Sequence, residues 1–305
     1  MTREHGGSRV GAGRDGIDAP TAALPVPSYR GKVRDVYSLD DKMVLVSSDR
    51  LSAFDVVFGD TIPDKGKILN SISAHWFSLL KNIPNHFISA DADGFPAPFN
   101  AAEFAGRAVL VRKTQRIDFE CVVRAFLMGS GYKEYAAFGT LAGETLPKGL
   151  TKGQKLPQPV FTPAVKNDTG HDENISFAEM KARLPALADQ LKDKSLALFR
   201  FAFDRLRQKG IYLLDTKFEF GLLNGEITLI DEIFTPDSSR FVEIGEYEKA
   251  LRDGAEIPTM DKQIVRDYVE SIGWDKNPPA PKLPPEVIEK TRAQYKKMEE
   301  VILSL

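Results

Sequence analysis

Several charged residues lie in a stretch that otherwise has the pattern of a β-hairpin. Apolar and polar residues alternate on both sides of Asn224-Gly225, a dipeptide that strongly favours a tight hairpin turn. Strands are normally depleted in charge, yet four charged residues fall within this pattern: Asp215, Lys217, Glu219 and Asp231. Mg²⁺ is typically held by one or two carboxylates together with substrate phosphates. The stretch therefore suggests a magnesium–nucleotide site, and an edge hairpin with solvated charges is the alternative.

The geometry of the turn decides whether these side chains can meet. A two-residue turn places Glu219 opposite Ile230 and sends Asp231 to the other face of the sheet, because a shift of one residue exchanges the two faces. A three-residue loop with a bulge instead brings Lys217 opposite Asp231. The apolar pattern fits the two-residue turn slightly better. The chemistry requires convergence, so we predict a bulge, either at the turn or at Gly221.

A second group of candidates lies near the start of the chain. Lys32 and Arg34 alternate on one face of a predicted strand beside Gly31, where two cations could hold phosphates and a glycine lets a ligand approach the backbone. An exposed basic strand face is the alternative. Further along the chain, Glu120 and Arg124 have the same parity, so they lie on one face of another predicted strand.

Two loops are also rich in polar groups. The segment Gly129-Ser130-Gly131 opens a predicted helix, whose first amide groups could bind an anion, although a simple glycine-rich turn is the alternative. Residues 161–176 carry many ionisable groups and are too long for a simple connection. The spacing of a Walker A phosphate loop is absent from the sequence.

Composition limits the class of protein. The chain has 305 residues, enough for one large domain or two lobes, and a net charge of −2 that gives no bias towards nucleic acid or an anionic membrane. Its single cysteine, Cys121, excludes an intramolecular disulfide framework and fits a reducing compartment. No apolar run has the length of a transmembrane helix, and the N-terminus lacks the apolar region of a signal peptide. We therefore expect a cytoplasmic protein that binds neither nucleic acid nor membranes.

The chain divides into three parts by pattern. Residues 1–27 are rich in glycine, arginine and alanine without periodicity, and we expect them to form a disordered tail. The strand-rich part that follows and the helix-rich remainder predict an α+β fold with two lobes and a cleft between them.

Taken together, these stretches resemble the SAICAR synthetase (phosphoribosylaminoimidazole-succinocarboxamide synthase) family of purine biosynthesis. The forms Pro-Asp-Ser-Ser-Arg and Gly-Ser-Gly resemble its longer, yeast-like branch, whereas Ala125–Met128 departs from the pattern of the family. The matching stretches keep the order of the family over about residues 29–270: Gly31–Tyr37, Ser48–Asp55, Ile62–Gly66, Glu120–Arg124, Gly129–Tyr135, Lys166–Ser176, Asp215–Gly221, Asp231-Glu232, Thr235–Arg240 and Asp261–Tyr268.

The resemblance implies a fold and a reaction. The fold would be two-lobed and kinase-like or ATP-grasp-like, with antiparallel sheets. A β-rich, ATP-binding lobe (28–115) and an α+β lobe (116–305) would enclose an ATP cleft. The second lobe would carry the metal and ribotide site. The reaction would join L-aspartate to the carboxylate of carboxyaminoimidazole ribotide, using ATP and an acyl-phosphate intermediate. Its substrates would be small molecules, and the protein would be a monomer or a small homo-oligomer. A small-molecule kinase with the same Mg-ATP site is the alternative.

The resemblance also assigns roles to individual residues. Lys217 and Lys166 would contact phosphoryl oxygens or the carboxylate being activated, and Asp231 would act with them. The ribotide site would hold arginines, which suit its 5′-phosphate. The implied sets are Gly31, Lys32, Arg34, Arg112, Lys113 and Lys166 for ATP; Glu219 and Asp231 for Mg²⁺; Glu120, Arg124, Ser130, Arg240 and Arg266 for the ribotide; and Asp49, Asp172 and Asp237 for the aspartate amine or a second metal.

Overall fold

The computed structural model of the chain describes residues 25–166 and 172–305. Residues 1–24 of the predicted tail, and residues 167–171 of the predicted polar loop, lie outside the described residues. Residues 25–27 belong to no helix or strand. No helix in the described ranges combines the length and the apolar character needed to cross a membrane.

The strands are β1 (Tyr29–Arg30), β2 (Arg34–Ser38), β3 (Lys42–Ser47), β4 (Arg50–Ala53), β5 (Val56–Thr61), β6 (Phe87–Ser89), β7 (Ala108–Arg112), β8 (Gln115–Arg116), β9 (Phe119–Phe126), β10 (Thr140–Leu141), β11 (Glu144–Thr145), β12 (Lys155–Val165), β13 (Glu173–Asn174), β14 (Ile211–Leu223), β15 (Glu226–Ile230) and β16 (Ser239–Glu243). The helices are α1 (Lys65–Leu79), α2 (Gly129–Phe138), α3 (Phe177–Arg183), α4 (Ala188–Gln208), α5 (Ile244–Asp253), α6 (Gln263–Ser271) and α7 (Pro285–Leu303). Short 3₁₀ turns occur at Ala92–Gly94 and Ala102–Phe104.

Two antiparallel sheets form the framework of the molecule. The first has five strands in the order β1-β2-β3-β7-β6. The second has seven strands, in which β13-β12-β9-β14-β15 form the main path, and β8 and β16 also pair with β14. β4 pairs with β5, and β10 with β11, in separate two-stranded ribbons. The pairing agrees with the expected α+β class, and the lobe boundary at residue 115 stays a prediction.

The main apolar core lies beneath the second sheet. α4 places Leu191, Leu198, Ala202 and Leu206 at spacings of seven, four and four residues, which forms one buried apolar face against the sheet. On α1, Trp76 is fully buried, and the core that includes it also contains residues of the second sheet. Buried apolar area of this kind supplies most of the stability of a fold, at about 25 cal/mol per Å².

The hairpin closes with a regular two-residue turn, so the predicted bulge is wrong. Glu219 pairs with Ile230 and Gly221 with Thr228 in an unbroken register. Asn224 and Gly225 have φ values of 52° and 81°, and positive values at both central residues are what a type I′ turn requires. This turn matches the right-handed twist of the strands, which is why the local sequence determined the register.

Gly221 is required for close packing. A Cβ atom at this position would lie 2.5 Å from Thr114 Oγ1 and 3.0 Å from the carbonyl oxygen of Gln115. The connection between the two sheets crosses β14 here, because β8 pairs with Gly221 and Leu222. A strand glycine can mark either a bulge or a close approach of another backbone segment, and here it marks the close approach.

The segment before β6 joins the two sheets. Leu229 of β15 donates its amide to Pro84 O at 2.9 Å and accepts a hydrogen bond from the amide of His86 at 3.0 Å. On the other side, His86 O accepts the amide of Arg112 at 2.7 Å. The segment therefore lies between β15 of the second sheet and β7 of the first, and it fixes the strand that leads into Asp231.

Replacement of Gly221 by alanine should destabilise the fold by about 1–3 kcal/mol, the usual cost of overpacking a close contact. Gly59 of β5 is a matched control, because a Cβ atom there would have no neighbour within 4 Å. Thermal or urea unfolding of Gly221→Ala and Gly59→Ala measures the difference. Equal stability of the two variants would contradict the close-packing interpretation.

His86 should make the fold sensitive to acid. Burial lowers the pKa of His86 from 6.5 to about 3, so below pH 6.5 the unfolded chain takes up a proton that the folded chain does not. Stability should therefore fall as the pH is lowered from 6.5 towards about 3, by at most about 1.4 kcal/mol per pH unit from this group.

The variant His86→Gln should flatten the pH dependence in that window, measured as unfolding free energy against pH. His75→Gln is the control, because His75 is only partly buried on α1 and its pKa is also lowered by burial. We expect a smaller change in slope for that variant. Curves for His86→Gln and the unmodified protein that run parallel between pH 6.5 and acid would refute the assignment.

Candidate active site

A cleft of about 580 Å³ opens between the first sheet and the hairpin of the second sheet. A smaller cavity of about 130 Å³ shares three of its lining residues, Glu120, Lys217 and Asp237. The predicted site residues that line the cleft are Gly31, Lys32, Arg34, Glu120, Lys166, Asp172, Lys217, Glu219, Asp231 and Asp237. Those that line the smaller cavity are Glu120, Arg124, Lys217, Asp237, Arg240 and Arg266.

The centre of the cleft is a chain of paired charges on β14. Lys217 and Glu219 are two residues apart and share one face of the strand. Lys217 Nζ donates to Glu219 Oε1 at 2.7 Å and to Glu120 Oε1, on the neighbouring β9, at 2.9 Å. Lys166, which follows β12, donates to the other oxygen of Glu219. Two lysines, one on β14 and one immediately after β12, therefore hold one carboxylate.

The pairing sets the charge of each group. Burial would raise the pKa of Glu219, but Lys217 and Lys166 outweigh it and hold the pKa well below its ordinary value. Burial would lower the pKa of Lys217, but Glu219 and Glu120 raise it well above its ordinary value. Burial raises the pKa of Glu120 despite the opposing charge of Lys217. Glu219 is thus a carboxylate and Lys217 an ammonium ion in the folded protein.

Asp231 reaches the cleft through a left-handed turn. It follows the last residue of β15 and has a φ of 66°, which is uncommon for a residue other than glycine but tolerated by aspartate. Its carboxylate accepts a hydrogen bond from Arg34 of β2, which also pairs with Glu232 at 3.1 Å. Asp231 lines the same cleft as Glu219. The backbone turn therefore produces the convergence that we expected from a bulge.

The smaller cavity carries arginines held by shared carboxylates. Asp215 of β14 lies opposite Arg124 of β9 on one side and Arg240 of β16 on the other. Its carboxylate accepts from Arg124 at 3.2 Å and from Arg240 at 2.5 Å. Arg266 donates to Asp261 at 2.7 Å. Glu120, Lys217 and Asp237 also line this cavity, so its acidic and basic side chains are equal in number. The three guanidinium groups nevertheless offer the hydrogen-bond donors that suit an anion such as a phosphate.

α2 begins at the edge of this arginine group. Arg124 donates to Ser130 Oγ at 3.0 Å, so the first turn of the helix is tied to β9. A Cβ atom at Gly129 would lie 2.7 Å from a terminal nitrogen of Arg240, and Gly129 has a φ of 54°. The glycine therefore permits the helix to start in contact with the guanidinium group.

Four predicted residues line neither cavity, and one of them, Ser130, borders a separate small hollow beside Arg124. Arg112 borders a separate surface hollow that also includes Asn85 and Glu226, and Lys113 is exposed; neither is among the residues that line the cleft. β7 is separated from β2 by β3, which explains the distance. Asp49 accepts the amide of Gly66 at 2.8 Å and so holds the first turn of α1.

Sequence reasoning did not assign roles to two lysines beside Asp237. Lys65 Nζ lies 2.8 Å and Lys262 Nζ 3.0 Å from Asp237 Oδ2. Burial would raise the pKa of Asp237, but Lys262 and Lys65 outweigh it and lower the pKa well below its ordinary value. Both lysines belong to stretches that resemble the family, Ile62–Gly66 and Asp261–Tyr268, and that position was the available signal.

The carboxylates suit a metal that is completed by substrate. Within residues 25–166 and 172–305, no group of three or more His, Cys, Asp or Glu side chains is arranged to hold a metal. Mg²⁺ commonly takes only one or two carboxylates and completes its shell with phosphate and water oxygens. Glu219 and Asp231 line one cleft. Burial raises the pKa of Asp231, the charge of Arg34 opposes this, and the charge of Glu219 raises the pKa further. This donor set fits Mg²⁺.

The chain is similar to proteins of one family along most of its length. A sequence model of the family described as SAICAR synthetase matches residues 27–281. A phosphoribosylaminoimidazole-succinocarboxamide synthase from Leptospira interrogans is 55% identical over 280 residues, covering 91% of this chain and 97% of that protein.

Solved structures with a similar fold point to the same family as the sequence comparisons. The SAICAR synthase from Saccharomyces cerevisiae, complexed with SAICAR, has a TM-score of 0.81 at 34% identity and covers 94% of this chain and 97% of that chain. A SAICAR synthetase in complex with ADP has a TM-score of 0.65 at 27% identity, covering 91% of this chain and 97% of that chain. The family, fold class and ligase activity predicted from the sequence are confirmed, and the chain belongs to the SAICAR synthetase family.

Proposed function

We propose that this chain joins L-aspartate to the carboxylate of carboxyaminoimidazole ribotide while ATP is converted to ADP and phosphate. The observation that carries the proposal is the shared wall of the two cavities. One cavity presents lysines and paired carboxylates, and the other presents three arginines. The related proteins bound to SAICAR and to ADP support occupation by a ribotide and a nucleotide.

The nucleotide phosphates would lie against the start of the first sheet. The amide of Gly31 donates to Arg34 O at 2.7 Å, which folds this loop tightly. Lys32, which pairs with Asp55, and Lys166 add positive charge from opposite sides of the cleft. In phosphoryl transfer the protein acts mainly by positioning groups and neutralising charge, and these cations would do both.

Glu219 and Asp231 would hold Mg²⁺ together with the phosphates. When bound, the metal would act as a Lewis acid that stabilises the charge of the transferring phosphoryl group. The residues of the chain prepare this site, because Lys166 and Lys217 keep Glu219 ionised. Arg34 holds the Asp231 side chain towards the cleft.

Lys217 would act at the junction between the substrates. It lines both cavities and is held by Glu120 and Glu219. A carboxylate is a poor electrophile, so an oxygen of the ribotide carboxylate attacks the γ-phosphorus and ADP leaves. The aspartate amine then attacks the acyl carbon, phosphate leaves, and the nitrogen loses a proton. With Lys166, Lys217 would neutralise the carboxylate and the phosphoryl oxygens while they approach each other.

The ribotide would extend into the smaller cavity. Arg124, Arg240 and Arg266 would bind its 5′-phosphate, since guanidinium groups match phosphate in charge and in hydrogen-bond geometry. Ser130, at the start of α2, would add a hydroxyl donor. Asp172 and Asp237 line the cleft beside this region and would face the incoming aspartate.

The cellular setting is also part of the proposal. We propose a cytoplasmic enzyme, because the single thiol of Cys121 is free and buried and fits a reducing compartment. Its partners would be its small-molecule substrates, without nucleic acid, and it would act as a monomer or small homo-oligomer.

Steady-state release of ADP should require both the ribotide and L-aspartate in the same mixture with Mg-ATP. A small-molecule kinase with this nucleotide site would release ADP with one acceptor alone, because it forms no amide bond. Coupled detection of ADP, with product identified by mass, measures the requirement. Sustained turnover without aspartate would contradict the ligase and favour the kinase.

The variant Asp231→Asn should lower turnover by about a thousandfold or more, because it removes a metal ligand at the site where charge develops. It should also raise the Mg²⁺ concentration needed for half-maximal rate. Glu226→Gln is the matched control, since it neutralises an exposed carboxylate at the other end of the same strand. Near-normal turnover in Asp231→Asn would count against the assignment.

A further inference from the structure

The last helix reaches the cleft through one hydroxyl group. α7 begins at Pro285, beyond residue 281, where the match to the family sequence model ends. Tyr295, near the middle of the helix, is fully buried. Its Oη donates to Asp237 Oδ1 at 2.7 Å. Asp237 lines both the cleft and the smaller cavity, so this hydrogen bond connects α7 to the place where the two cavities meet.

Groups from three helical regions meet at Asp237. The Nζ atoms of Lys65 on α1 and of Lys262, immediately before α6, lie 2.8 and 3.0 Å from its second oxygen. Lys65 has no exposed surface, and of these two lysines only Lys262 lines the cleft. The two lysines share one carboxylate, and an unbalanced buried charge is costly; accordingly, burial lowers the pKa of Lys65. Lys262, which lines the cleft, can also bind an anion that enters there.

The chemistry of the proposed reaction supplies such an anion. L-Aspartate must lie between nucleotide and ribotide, with its amine directed to the acyl carbon and its two carboxylates directed elsewhere. Asp237 is already engaged on both oxygens: Oδ1 accepts the hydrogen bond from Tyr295, and Oδ2 is in ion-pair contact with the two lysines. Burial and the charge of Asp237 raise the pKa of Tyr295 well above its ordinary value, so the hydroxyl stays protonated and donates.

We propose that Tyr295 is a positioning residue of the active site: it holds the Asp237 carboxylate so that Lys262 presents its ammonium group to a carboxylate of the amino-acid substrate. This inference rests on the proposed function. The tyrosine touches no substrate. It fixes the orientation of Asp237, which in turn fixes the direction of Lys262. The terminal helix is then part of the substrate site as well as part of the core.

The test compares two variants that each remove one buried hydroxyl from α7. Tyr295→Phe keeps the ring and removes the bond to Asp237. Thr291→Val is the matched control, because Thr291 is fully buried and its Oγ1 donates to Val287 O within the same helix. KM for L-aspartate, ATP and ribotide, kcat, melting temperature and inhibition by succinate are measured for both. Succinate has the two carboxylates of aspartate and lacks the amine.

In Tyr295→Phe, KM for aspartate and the inhibition constant of succinate should rise together by about ten- to a hundredfold, the factor expected for losing a hydrogen bond to a charged group. KM for ATP and ribotide should stay unchanged. Thr291→Val should keep all constants near normal, at a melting temperature similar to that of Tyr295→Phe.

Two outcomes would overturn the inference. Normal aspartate kinetics in Tyr295→Phe would make the hydroxyl purely structural. A raised KM for aspartate with unchanged inhibition by succinate would place the effect on the amine, through Asp237, and not on a carboxylate through Lys262. The proposed function fails separately, because an unmodified protein that forms no amide product from the three substrates would refute it before any variant is made.

Discussion

The nearly buried carboxylate of Glu219 is stable as an anion because two lysines bind it, one through each oxygen. An ionised group without such partners would cost several kcal/mol in this environment. The need to pair Glu219 constrains the second sheet. Lys217 must lie two residues from Glu219 on β14, and Lys166 must follow β12 on the same side of the sheet. Glu120 on β9 completes the balance for Lys217. The order of β12, β9 and β14 in the sheet brings these four side chains together.

β14 separates the chemistry from the core by simple alternation. Asp215, Lys217 and Glu219 point to the cavities, whereas Phe218 and Phe220 point into the apolar core and are almost completely buried. The neighbouring strands β9 and β16 each place an arginine, Arg124 and Arg240, directly opposite Asp215. A strand that is central and half-polar can carry several functional groups at fixed separations, because the spacing is set by the backbone and not by loops.

Much of this arrangement could be predicted from sequence, because it depends on local rules. The Asn224-Gly225 turn and the shared face of Lys217 and Glu219 follow from turn chemistry and strand parity. The bulge was wrong because convergence arises after the strand, from a single left-handed residue, Asp231. The partner that binds the Asp231 carboxylate is Arg34, 197 residues away, and the local pattern does not specify it.

Other parts depend on tertiary neighbours alone. Arg112 and Lys113 have the right charge for a phosphate site, but strand order places them away from the cleft. Asp49 is a polar residue in a suitable loop, yet its carboxylate holds the first turn of α1. Lys65, Lys262 and Tyr295 are far apart in sequence, and each belongs to a helical region with an ordinary apolar pattern. Their meeting at Asp237 requires α1, α6 and α7 to be packed first.

The same clusters also explain why the fold accepts unfavourable contacts. Lys65 and Lys262 share one carboxylate, and Arg124 and Arg240 share another. Like charges at such short separation oppose folding, and apolar residues of similar size would pack at lower cost. Each cluster lies at a cavity wall, where its cations can also bind an anionic substrate. The fold therefore retains in its free state a repulsion between cations that the substrates of the proposed reaction would reduce.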